Sequence, residues 1–131
     1  MILSPTEFIL YVADQQAAQN FYAEVLQLQP ALDVPGMTEF NITAHCKLGL
    51  MPENGIAKIL EPAMPHPAKG QGLPRCELYL LVDDVNAYAG RAKKAGAKII
   101  SEAAPRDWGH TVAYFADADG HVIAFASAER E

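Results

Sequence analysis

The chain repeats itself. At an offset of 70 residues, Glu7 falls on Glu77, Leu10 on Leu80, Val12 on Val82 and Asp14 on Asp84. A repeat of that size means two copies of one supersecondary unit, because a single such unit leaves a sheet face unburied. Each copy reads as strand, helix and then three strands. The expected fold class is therefore α+β, with two βαβββ repeats pairing their open faces into a cupped, partly closed eight-stranded barrel, helices outside.

The local reading is the same in both halves. "EFILYVAD" (residues 7–14) is a strand of aromatic and branched residues closed by Asp14. Asp14 is a good helix N-cap, since its carboxylate accepts from the free N–H groups of a first turn. Ala18, Phe21, Tyr22, Val25 and Leu26 then recur at helical spacing, predicting a helix from about Gln15 to Leu26. "QPALDV", "MTEFNIT" and "HCKLGLM" read as strands, and "PENG" as a turn. From Cys76 the order restarts. "CELYLLVDD" is a strand with a capping aspartate, and Val85, Tyr88, Ala89, Ala92 and Ala95 form a helical stripe stopped by Gly96. "AKIIS", "HTVAYF" and "HVIAFA" complete the second set of strands. One domain is expected over residues 1–131, with a first unit at 1–52, a connection rich in proline and glycine at 53–75 holding one helical turn at "GIAKIL", and a second unit at 76–131.

Composition narrows the function classes. With 131 residues, half of them hydrophobic and a fifth charged, the chain suits one soluble domain. No apolar run approaches the ~18 residues of a membrane span. "MILSPTEF" lacks the basic start and apolar block of a secretory leader. Cys46 and Cys76 have no C-x-x-C spacing and read as reduced core thiols, so a cytoplasmic location is expected. The net charge is −6, and the ten Lys and Arg are scattered apart from Lys93-Lys94, which argues against a nucleic-acid partner.

The segments "LYVAD…NFYAEVLQL" and "DADGHVIAFA" resemble the vicinal oxygen chelate superfamily, also called the glyoxalase/bleomycin resistance/dioxygenase superfamily. The resemblance covers essentially the whole chain. Its most specific part is an F-x-D-P-D-G-x-x-I-E-F pattern, in which Ala118 stands for the proline and Ala124 for the glutamate. It implies the fold above, a homodimer, and up to four His, Gln or Glu metal ligands on the first and last strands of each unit. Those positions hold Glu7, Gly49, Glu77 and Ala124. Two of the four carry no donor atom, whereas a divalent ion with open positions usually needs three or more protein donors. The expectation is no metal cofactor; if a divalent metal ion binds, Glu7 and Glu77 are its ligands. The resemblance then favours a small-molecule-binding protein of the bleomycin-resistance kind, sequestering a ligand for which the acidic balance suits a cation. The alternative is a metal-dependent lyase, isomerase or dioxygenase.

Strand parity proposes the lining. Glu7 shares a face with Ile9 and Tyr11; Gly49 with His45, Lys47 and Met51; Glu77 with Tyr79 and Leu81; Ala124 with Val122; and His110 with Val112 and Tyr114. The opposite face carries Phe8, Leu10, Val12, Leu48, Leu50, Leu78, Leu80, Val82, Ile123 and Phe125, expected under the helices. Candidate ligand-binding residues are Tyr11, Lys47, Met51, Tyr79, Trp108, His110 and Tyr114, because rings and a few polar groups suit a small-molecule site. Glu7, Glu77 and His110 are candidate acid–base groups. Plainer readings stand beside these: the glutamates as solvated strand starts or as partners of Lys47 or Arg75, His110 as a surface residue, Trp108 as a rim or dimer contact, and Tyr79 and Tyr114 as barrel filling. No G-x-S-x-G elbow or phosphate-binding loop is present.

Overall fold

The computed structural model describes residues 1–70 and 72–128. It contains two four-stranded sheets and three α-helices, an α+β architecture built from two βαβββ repeats. Two compact units result, Met1–Gln71 and Gly72–Glu131.

In the first unit, β1 (Thr6–Val12) leads into α1 (Gln15–Leu26), then β2 (Leu32–Val34), β3 (Met37–Thr43), β4 (Cys46–Pro52) and α2 (Glu53–Leu60). The sheet order is β1-β4-β3-β2, with β1 parallel to β4 and the other pairs antiparallel. Asp14 caps α1 by accepting from Ala17 N at 3.0 Å. The helix lays Ala18, Tyr22, Val25 and Leu26 on the sheet, opposite the buried Val12, Phe40, Leu48 and Leu50. A polar seam fixes it there: Gln15 Nε2 donates to Thr38 Oγ1 at 3.0 Å, and the Thr38 hydroxyl donates to Gln19 Oε1 at 2.9 Å. Thr38 is fully buried, so these bonds satisfy a group that would otherwise be expensive to desolvate.

The second unit repeats the plan with β5 (Glu77–Leu81), α3 (Val85–Lys94), β6 (Lys98–Pro105), β7 (His110–Ala116) and β8 (Val122–Ala128), in the order β5-β8-β7-β6. Asp84 caps α3 through Ala87 N at 3.1 Å. Val85, Ala89 and Ala92 face the sheet, and Tyr88 meets Phe125 with ring centroids 5.5 Å apart. The Asp117–Gly120 turn aims β8. Asp117 Oδ1 accepts from Asp119 N and His121 N at 2.9 and 2.8 Å, and Gly120 takes a φ of 85° that favours glycine.

Several expectations need correction. "PENG" is no turn: α2 begins at Glu53 and buries Ile56 and Ala57. β6 continues past "AKIIS" to Pro105. Phe8 is 62% exposed rather than core, because β1 is an edge strand. Cys76 is exposed and Cys46 only half-buried; both are free thiols, not core residues. No helix among the described residues is long and apolar enough to cross a membrane.

Candidate functional site

Each sheet has one face opposite its main helix, and each face is organised around a small residue on the central strand β4 or β8. In the first sheet that residue is Gly49, with Ile9 of β1 and Glu39 of β3 directly across on either side. The carboxyl group of Glu7, on the same face, leans over the glycine. A Cβ built on Gly49 would collide with Glu7 Oε2 and lie 3.0 Å from Ile9 Cγ1. The missing side chain therefore makes room for the carboxyl.

That carboxyl is chemically unusual. Its Oε2 is buried and has no hydrogen-bond donor. Burial, then a hydrogen bond and charge repulsion from Glu39, raise its pKa from 4.5 to about 7, and Lys47 pulls weakly the other way. Two carboxylates cannot hydrogen-bond each other without a proton, so the bond between Glu7 and Glu39 needs one of the two protonated. Lys47 Nζ sits 3.4 Å from Glu39 Oε1. Tyr11 and Met51 are paired across β1 and β4 on this same face, both half-buried. His45 does not join them. It lies in the exposed β3–β4 turn with Nδ1 3.0 Å from Ser4 Oγ.

In the second sheet the small residue is Ala124, fully buried, with Tyr79 and Tyr114 directly across on β5 and β7. The two rings pack against a floor of Val112, Ala124 and Ala126. Trp108 Nε1–H donates to the Tyr79 hydroxyl at 2.8 Å, and that hydroxyl is 2.6 Å from His110 Nδ1. The Trp108 side chain stays 56% exposed. Arg106 Cζ lies 5.2 Å from the Tyr114 ring centroid, and Nη2 of the guanidinium is anchored by Ser101 Oγ and the carbonyls of Glu102 and Val112 at 2.9–3.0 Å. Burial, followed by the charge of Glu77 and the neighbouring Tyr79, pushes the Tyr114 phenol above its ordinary value, with Arg106 opposing. Glu77 itself is exposed. Of the candidates read from sequence, Tyr79, Trp108, His110 and Tyr114 thus converge in one cluster, and Glu7 and Lys47 in another. Glu39 and Arg106 were missed. Glu39 becomes visible only once the β3–β4 register is known.

The family now follows. The glyoxalase-like domain model matches residues 6–129. The chain belongs to the glyoxalase-like domain family. The whole fold is shared with solved structures that differ widely in sequence. A hypothetical protein from S. aureus is 20% identical, with a TM-score of 0.78 over 98% of this chain and 95% of that one. A glyoxalase/bleomycin resistance protein/dioxygenase family enzyme from Burkholderia phytofirmans PsJN is 17% identical, with a TM-score of 0.79 over 94% and 97%. An antibiotic binding protein from Streptomyces sp. CB03234 is 26% identical, with a TM-score of 0.68 over 98% of each chain. Comparison with curated proteins finds no match.

Membership raises the question of a metal, and the residues present do not fit one. Gly49 and Ala124 offer no donor. The carboxyl of Glu7 is turned over Gly49, and two phenols close over Ala124. Among the described residues no group of three or more His, Cys, Asp or Glu is placed to hold an ion.

Proposed function

We propose that this glyoxalase-like protein binds and sequesters a small molecule without a metal, recognising it by stacking and by a few hydrogen bonds. The observation that carries this reading is the aromatic cluster over Ala124: Tyr79, Tyr114 and His110 beside an exposed Trp108 indole. Rings of this kind offer large contact area at little entropic cost. The likeness to an antibiotic binding protein supports it. The net charge of −6 favours a ligand that carries positive charge. Apolar surface at Phe8 on β1 and Leu81 on β5, both sheet edges, supports pairing with a second copy. The test is a thermal-shift screen of planar and cationic aromatic compounds, with Trp108 fluorescence as the second readout. A ligand that raises the melting temperature and quenches Trp108 is expected; uniformly flat curves would remove the reading.

One observation favours a second reading. A carboxyl poised at about 7 is suited to take a proton near neutral pH, so Glu7 could serve as the general base of a metal-free reaction. Proton abstraction from a carbon acid that disappears in Glu7→Gln would support it.

A further inference from the structure

The hydrogen-bond chain at the second sheet starts from a fixed donor. The indole N–H of Trp108 only donates, so the Tyr79 oxygen must accept from it. The hydroxyl hydrogen of Tyr79 is then available to the other neighbour, His110 Nδ1 at 2.6 Å. Where the phenol donates it, Nδ1 of a neutral ring is the acceptor and the ring hydrogen sits on Nε2. Among the described residues Nε2 meets no partner, and it is not among the buried unpartnered atoms, so solvent reaches it. Tyr114 stands on the same face of β7. Its phenol keeps its hydrogen because burial and the Glu77 charge both oppose ionisation, leaving a second O–H donor.

We infer that Trp108 and Tyr79 position His110 as a hydrogen-bond donor through Nε2, and that this face selects a planar conjugated ligand bearing a neutral carbonyl oxygen. The reading rests on the small-molecule function proposed above and narrows its ligand. An acceptor oxygen satisfies both donors, while the Glu77 charge, felt at Tyr114 more strongly than that of Arg106, disfavours a carboxylate or phenolate placed there. The flat part of such a ligand has Trp108 and Tyr79 available for stacking. His110 would be the specificity-determining residue, and Tyr79 a positioning residue acting through it.

The experiment uses the full chain and has two arms. Long-range nitrogen–proton correlation spectra read the tautomer of His110. The cross-peak of the single tryptophan's indole reports titrations with 9-fluorenone, its hydrocarbon parent fluorene, and fluorene-9-carboxylate. The expected result is a protonated Nε2 and bare Nδ1, with fluorenone bound roughly 5- to 10-fold more tightly than fluorene, the gain of one well-placed hydrogen bond. His110→Phe should erase that preference. Tyr79→Phe should leave the fold intact, release the tautomer to a mixture and reduce the preference. A hydrogen found on Nδ1, or fluorene or the carboxylate bound as tightly as fluorenone, overturns the inference while leaving small-molecule binding in place. If no aromatic probe of any charge moves the indole signal, the proposed function itself falls.

Discussion

The two sheets share a plan and solve the same local problem with different chemistry. On each, the central strand carries a small residue, Gly49 or Ala124, at a position where the family resemblance read from the sequence implies a metal ligand, and neighbouring side chains close over it. Over Gly49 the closing group is ionisable: Glu7, with its pKa raised, beside Glu39 and Lys47. Over Ala124 it is aromatic, and its hydrogen-bond chain is complete without a charge: Trp108 to Tyr79 to His110. A small residue on a central strand leaves volume for its neighbours to fill, and the residues that fill it set how the face responds to pH and to ligands. The first face should be pH-sensitive, and the second should be a recognition surface.

The largest expected effect comes from reversing the refilling at the second sheet. Ala124→Glu would force a carboxyl between two phenols at a fully buried site and should cost about 3 kcal/mol, read as a lower denaturant midpoint. A loss under ~1 kcal/mol would mean that the rings do not close over the site. The next effect separates the faces by pH. The folded-state pKa of Glu7 is raised from 4.5 to about 7, so the folded chain holds a proton that the unfolded chain has released, and stability falls as pH rises through that window. The fall should be about 1–2 kcal/mol, below the ~3 kcal/mol that the shift alone would carry because part of the side chain meets water. Glu7→Gln should flatten the curve and be the more stable protein at pH 8; stability of the parent that is level or rising between pH 4.5 and 7 would contradict the raised pKa of Glu7. A smaller effect tests the glycine. Gly49→Ala should cost about 1 kcal/mol, and less when Glu7 is already Ala, because the added Cβ collides mainly with the carboxyl. Additive losses in that double-mutant cycle would place the strain elsewhere, for instance on Ile9. Smallest is Trp108→Ala, which should change stability by under ~0.5 kcal/mol, since the ring is 56% exposed, yet weaken binding of any ligand that stacks there.

Much of the fold was legible because local signals agreed in both halves. Asp14 and Asp84 announce helices, the apolar stripes behind them give the lengths, and the repeat gives the topology. α2 was hidden by Pro52, Asn54 and Gly55, which read as a turn, although Ile56, Ala57 and Leu60 carry a helical stripe. Phe8 was assigned to the core by parity alone, and parity cannot tell that β1 lies at a sheet edge. At the site, Tyr79, His110 and Tyr114 share a face by simple alternation. Glu39 was out of reach, because its pairing with Gly49 depends on the β3–β4 register, and a one-residue slip would turn it to the helix side. His45 failed for a related reason: the strand starts one residue after it.

We propose that Glu7, Gly49, Glu77 and Ala124, the positions at which the family resemblance implies metal ligands, hold no metal in this chain. Elemental analysis of protein purified without an affinity tag or chelator tests it most directly. The account predicts transition metal far below one equivalent per chain, unchanged in Glu7→Gln and Glu77→Gln. Near-stoichiometric metal that is lost in either variant would contradict it.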